Sequence, residues 1–207
     1  MVERTKKFTL ALESECAMFE QFSRIGRDIY LAGLISSHGG NMSARVGDRI
    51  LITRRGSMLG RLAEHDIVET SLDSSGSDDA LASTEIVVHR AIYANTAAMA
   101  VIHTHSPHSI LRSMIEDEIV PIDSEGNFLL RKVPVYSFLQ TIGSPDVAVA
   151  AASGLRDYRC VLVRGHGPFA AGAALEEAFQ WITSLEMSCK ILNLRDQTGA
   201  KPIELEL

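Results

Sequence analysis

Residues 82–107, ASTEIVVHRAIYANTAAMAVIHTHSP, decide how this chain is read. Ser83 stands just ahead of an apolar series at Ile86, Val87, Val88, Ala91 and Ile92. That pattern predicts a helix over 85–95, capped by Ser83, with Thr84 and Glu85 in its first turn. The next run, Met99–Ile102, is continuously apolar and predicts a strand buried on both faces. It ends in His103 and His105. Residues two apart on a strand share a face, so the two imidazoles project together and Thr104 points away. The pair has the spacing of two ligands on one metal ion, and equally that of an exposed polar strand end. Glu85 suits the positive end of a helix dipole, and also suits a general base beside a metal.

Working outward, residues 9–36 carry apolar side chains near a helical period and predict a helix ending between Gly33 and Ser36. Strands are predicted at 42–46 and 49–53 around a Gly47-Asp48 hairpin turn, with a second turn at 54–57 and a strand at 67–71. Residues 73–80, DSSGSDDA, read as a solvated loop. On the other side, 108–115 reads as a short helix, 119–130 as irregular and 133–136 as a strand. Ser144 caps a helix with Pro145 at its first position, running to about Gly154. CVLV at 160–163 predicts another buried strand, broken by Gly165-His166-Gly167, and 175–194 a closing helix. The tail, GAKPIELEL, carries no clear signal. Helices alternate with short strands without repeats or linkers, which predicts one α/β domain over 1–207 around a central sheet.

The 207 residues are 46% hydrophobic and 22% charged, enough to bury a full core without covalent staples. A net charge of −6 argues against nucleic acid as a partner but leaves room for a small anion held by local cations. The three cysteines, Cys16, Cys160 and Cys189, cannot all pair and form no CxxC, so buried free thiols are expected. No signal-peptide core and no membrane-length apolar run is present, which makes the cytoplasm the expected location and membrane association unexpected.

The remaining chemistry is spread along the chain. His166 also follows an apolar strand and would be a third ligand if both strands end on one sheet edge; otherwise it is a turn residue. Glycines 39 and 40 allow close backbone approach to a ligand, with Asn41 on the bend. Ser83 and Thr84 lie at a helix N-terminus, where free N–H groups favour phosphate, or serve only as caps. Gly56 sits in a turn, and Arg54 and Arg55 beside it add charge or are simply solvated. Of the other histidines, His89 reads as a helix-surface residue one turn from Glu85, His108 as a pocket-rim residue and His65 as surface.

GGNMSAR (39–45), ITRRG (52–56), ASTE (82–85), HTH (103–105) and RGHG (164–167) occur in an order and at spacings that resemble the class II aldolase/adducin family, over about 22–194. The resemblance implies a three-layer α/β/α sandwich around a mainly antiparallel sheet. It implies His103, His105 and His166 on Zn²⁺ or another divalent metal, Glu85 as acid/base, and a phosphate held by Asn41, Gly56, Ser83 and Thr84. The implied activity is reversible cleavage of a ketose 1-phosphate, of the L-fuculose 1-phosphate kind, to dihydroxyacetone phosphate and an aldehyde. The implied assembly is a homotetramer with the site at a subunit interface. Arg55 departs from the family pattern, standing where Thr or Ser is usual, and brings a cation to the phosphate or to a carboxylate. His38 stands where a small residue is common. Asp123 occupies the spacing of the tyrosine that serves as proton donor, and the tail has no tyrosine. The same site in an epimerase, dehydratase or decarboxylase, or a non-catalytic adducin-like module, are the alternative readings.

Overall fold

The computed structural model describes residues 2–73 and 77–199, and the side chains of 17–73 and 79–199. Six α-helices are described: α1 (Val2–Leu31), α2 (Ile86–Asn95), α3 (Pro107–Ser113), α4 (Ser124–Leu130), α5 (Pro145–Gly154) and α6 (Leu175–Thr198). Eight strands form one sheet: β1 (Asn41–Val46), β2 (Arg49–Thr53), β3 (Ile67–Ser71), β4 (Ala100–His103), β5 (Glu118–Ile119), β6 (Val133–Tyr136), β7 (Cys160–Val163) and β8 (Gly167–Gly172). Their order is β3-β2-β1-β4-β8-β7-β6-β5. Only β6 and β7 run parallel; the other neighbours are antiparallel.

Alternation along each strand splits the apolar side chains between two cores. Met42, Ala44, Ala100, Ile102, Cys160, Leu162 and Ala170 face α1, α4 and α6. Ile50, Ile52, Val101, Val161, Val163 and Phe169 face α2 and α5. The sheet is therefore buried on both sides, a three-layer α/β/α arrangement. Cys160 and Cys189 are buried free thiols, as expected; the side chain of Cys16 and residues 200–207 of the tail lie outside the described residues. No helix of the described residues is long and apolar enough to cross a membrane.

Most sequence-based boundaries hold within two residues, including the hairpin at Gly47-Asp48 and the Ser144 cap. Helix α6 runs on to Thr198 rather than 194, and the loop read as solvated at 73–80 holds a 3₁₀ turn, Ser77–Ala80, whose Asp79 accepts from Arg90 at 2.6 Å. Four further readings change. Helix α1 begins at Val2 rather than near residue 9, because its polar first turns carry no apolar period. Helix α2 begins at Ile86; Glu85 takes the cap position, and the Ser83 hydroxyl accepts the Glu85 N–H at 3.3 Å. Strand β8, GPFAAG, is missing from the sequence reading because glycine, proline and alanine are poor strand formers. The stretch read as irregular at 119–130 contains α4, whose Ser, Gly and Asn are weak helix formers. Asp123 supplies what propensity lacks: its carboxylate caps α4 by accepting the Gly126 N–H at 2.7 Å.

Gly126 lies against Ser188 of α6 and Pro121, and a Cβ there would sit 2.8 Å from the Pro121 Cβ and closer still to Ser188. Asp123→Ala should cost about 1 kcal/mol and Asp123→Asn only a few tenths, read by urea denaturation. Gly126→Ala, which in an open helix would gain about 0.5–1 kcal/mol, should instead destabilise by about 1–3 kcal/mol.

A candidate metal and acid–base site

The antiparallel register sends several chain segments to one sheet edge. The first residue of β1, Asn41, pairs with the last of β4, His103, which pairs in turn with Phe169 of β8. Val163, ending β7, pairs with Gly167, which opens β8, so the turn holding His166 hangs over the same edge. Two glycines permit this crowding. Gly167, at φ 144°, lies against the Thr104 carbonyl, which a Cβ would meet at 2.1 Å. Gly40, at φ 75°, passes the His103 carbonyl, which a Cβ would meet at 2.8 Å. Glycine at Gly40 thus makes room for the histidine strand end.

The imidazoles of His103, His105 and His166 meet there, with one ring nitrogen of each within 4.8 Å of the others. Among the described residues no other group of three His, Cys, Asp or Glu is so disposed. His103 is buried, stacks on Phe169 at 4.1 Å between ring centres, and donates from Nδ1 to the Pro168 carbonyl at 2.9 Å. Its Nε2 therefore carries the lone pair, and lies 3.2 Å from Nε2 of His166. Tetrahedral ligands at roughly 2.0–2.1 Å from one ion stand about 3.3 Å apart, so this spacing fits a shared divalent metal. Burial, reinforced by the neighbouring rings, holds His103 well below the usual histidine range. Burial also lowers His105, and lowers His166 to about 4 despite the Thr141 main chain beside it. All three are neutral at pH 7, the form that ligates.

Glu85 is 3% exposed, and its Oε1 lies 3.9 Å from Nε2 of His166. Oε1 accepts the Gly143 N–H at 3.1 Å from the loop between β6 and α5, while Oε2 is buried without a partner. Burial pushes the carboxyl up to about 7, partly offset by the Gly143 bond. One oxygen is thus anchored and the other is left without a hydrogen bond among the described residues.

The residues expected to hold phosphate gather beside this centre. The turn carrying Arg54, Arg55 and Gly56 is stitched to 81–83 by Arg55 N–H to Leu81 carbonyl (2.9 Å) and Ser83 N–H to Thr53 carbonyl (3.1 Å). Arg55 and Gly56 are exposed, and neither Arg54 nor Arg55 pairs its guanidinium with an acid among the described residues. Thr84 is exposed and Ser83 buried, its hydroxyl committed to Glu85 as above. Asn41 is buried at the edge and bonded by His89 (2.7 Å). His89 is not on the helix surface: it is fully buried against Asn41 and Ser43. Its position in the series Glu85, His89, Tyr93, spaced by four along one helix face, is the signal that would have found it. Gly143 could not be found in this way, since nothing local marks its partner 58 residues away. His65 is exposed, as expected. His108 is half-buried beside Asn193, and its N–H is capped by Glu186. Asp123 is engaged at the α4 cap.

Residues 20–193 match the family model described as Class II Aldolase and Adducin N-terminal domain. The chain belongs to the class II aldolase and adducin family. The L-fuculose phosphate aldolase of Methanocaldococcus jannaschii is 34% identical over 180 residues, 84% of this chain and 96% of that protein. The 3-oxo-tetronate 4-phosphate decarboxylase of Cupriavidus necator is 28% identical, covering 91% and 89%. The crystal structure of L-fuculose-1-phosphate aldolase from Thermus thermophilus superposes with a TM-score of 0.82 at 35% identity, covering 89% of this chain and 97% of that one. These relatives are enzymes, and their names divide between two reactions of phosphorylated sugars or sugar acids.

His103→Ala should abolish retention of a divalent metal that the unaltered chain holds at about one ion per chain after dialysis, read by metal analysis. Lowered histidine pKa values keep protons from competing for the ligands. The metal should therefore stay bound down to about pH 5 and be lost as His166 protonates near 4, rather than from 6.5 downward.

Proposed function

We propose that this protein is a zinc-dependent sugar-phosphate aldolase that cleaves a ketose 1-phosphate to dihydroxyacetone phosphate and an aldehyde. The observation that carries the reading is Glu85: a buried carboxyl with one oxygen anchored and one unpartnered, 3.9 Å from a nitrogen of the three-histidine cluster. A non-catalytic module gains nothing from burying such a group.

His103, His105 and His166 hold the metal, and three imidazoles with an open position are a catalytic zinc set. A divalent ion there supplies Lewis-acid stabilisation of the negative charge that develops at the substrate carbonyl oxygen. Glu85 handles the proton on the adjacent carbon. In the condensing direction the carboxylate removes it; in cleavage the neutral carboxyl returns it to the carbon whose C–C bond has broken. A carboxyl raised to about 7 populates both forms near neutrality, and a bound cation nearby shifts it toward the ionised one. The Gly143 N–H fixes Oε1 at 3.9 Å from the His166 nitrogen, which holds the carboxyl against the cluster and leaves Oε2 free of any competing bond among the described residues. Asn41, Gly56, Ser83 and Thr84 form the phosphate pocket. The unpaired guanidinium of Arg55 supplies the positive charge that the chain as a whole, at −6, lacks.

The reading extends to a homotetramer with the site at a subunit contact. Its support is the family resemblance and the exposed apolar side chains of Leu111, Met114 and Ile115 at the end of α3. A decarboxylase acting on a sugar-acid phosphate is the second reading, favoured by the Cupriavidus necator relative and by a cation at Arg55 suited to a carboxylate.

Incubation with a panel of ketose 1-phosphates should release dihydroxyacetone phosphate from at least one, read by coupled reduction. Release from none, with carbon dioxide released from a 3-oxo-acid phosphate, would select the decarboxylase. Glu85→Gln should keep the metal and lose about 10²–10⁴-fold in turnover; unchanged turnover would remove Glu85 from the mechanism.

A further inference from the structure

Behind Asn41 lies a line of buried polar side chains that the reaction itself does not use. The Tyr93 hydroxyl lies 2.7 Å from Ser43 Oγ, Ser43 Oγ lies 2.6 Å from His89 Nδ1, and His89 Nε2 lies 2.7 Å from Asn41 Oδ1. Tyr93, Ser43 and His89 are at most 1% exposed. Two helix residues one turn apart on α2 and one strand residue of β1 thus connect the α2–sheet core to the site edge.

The line has a direction. The only acceptor offered to the Tyr93 hydroxyl among the described residues is Ser43 Oγ, and a buried O–H without an acceptor costs about 1–3 kcal/mol. Tyr93 therefore donates to Ser43. Ser43, with its single proton free, donates to His89 Nδ1. Burial lowers His89 to about 3, so the ring is neutral and carries one proton, which is left to Nε2. Nε2–H donates to Asn41, which fixes the amide with its oxygen turned to His89 and its NH₂ turned away. That NH₂ makes no hydrogen bond among the described residues, and it is not among the buried polar atoms left unpartnered, so it is open to the site.

We propose that Tyr93, Ser43 and His89 form a one-way relay that locks Asn41 as a donor-only contact, making His89 a positioning residue for recognition of a substrate oxyanion. An unlocked asparagine presents oxygen or nitrogen with equal ease; a locked one rejects a second donor and accepts a phosphate oxygen. The inference rests on the reading of Asn41 as a phosphate contact.

The first measurement uses the full-length, metal-loaded protein. Long-range proton–nitrogen NMR of the ring should place the His89 proton on Nε2, with Nδ1 bare, from about pH 5 to 8. A proton on Nδ1, or a doubly protonated ring, overturns the relay whatever the enzyme does. The second compares variants by calorimetry with inorganic phosphate. His89→Leu should weaken phosphate binding about tenfold and raise KM about equally while kcat and metal content hold. His89→Gln, which keeps a donor toward Asn41, should recover most of the loss. Unchanged phosphate binding in a folded, metal-replete His89→Leu overturns the proposal. If the unaltered protein does not bind phosphate at all, the oxyanion half is overturned while the roles of Glu85 and the three histidines stand.

Discussion

The hydrogen bond from His103 Nδ1 to the Pro168 carbonyl is the contact on which the site depends. It joins two neighbouring strands through a side chain where the backbone ladder is ending, and settles the tautomer of the central histidine. With Nδ1 protonated, Nε2 can only accept, and it faces another ring nitrogen at 3.2 Å. Proline is suited to the acceptor position. It has no N–H of its own to satisfy so close to the start of β8, and its carbonyl also receives the Thr104 N–H at 3.3 Å. Gly167 then has to follow the Thr104 backbone at a separation no side chain permits, which carries His166 back over the edge.

This arrangement suits a cation. Nε2 of His103 turns its lone pair toward the His166 ring, burial keeps all three rings unprotonated and so able to ligate, and a carboxyl nearby is pushed toward protonation. One positive charge among the ring nitrogens would engage their lone pairs and restore the carboxylate. Strongly shifted groups that share one cure mark a functional centre more firmly than any of them alone. His89 makes the contrast. It too is neutral because it is buried, but its two ring nitrogens are engaged by Ser43 and Asn41, which leaves neither to ligate.

Features with a local signature were legible in the sequence. Two apolar strands each followed by histidine indicated the three imidazoles that meet at one edge, and the hairpin and caps declared themselves through Gly-Asp and Ser-Pro. What escaped depended on distant partners. Strand β8 is a strand because β4 and β7 flank it, although GPFAAG has little tendency to extend. Helix α4 exists because Asp123 caps it and α6 packs on it. His89 looked like a surface residue because a histidine among Val88, Arg90 and Ala91 is ambiguous until its partners on β1 are known. The hold of Gly143 on Glu85 has no trace in sequence spacing.

Helix α2 divides its labour along one face. Its cap residue, Glu85, meets the metal ligands; the next turn, His89, meets Asn41; the turn after, Tyr93, meets Ser43. The proposed proton transfer at Glu85 and oxyanion contact at Asn41 would thereby be fixed by the same element. The parts outside this constraint are the exposed side chains of Arg55, in the turn at 54–57, and of Leu139 and Ile142, in the loop at 137–143. Relatives named for cleavage and for decarboxylation occur at similar distances from this chain. If one edge serves both reactions, the choice between them lies in those exposed side chains, because they can change while the Thr141 and Gly143 main chain goes on holding His166 and Glu85.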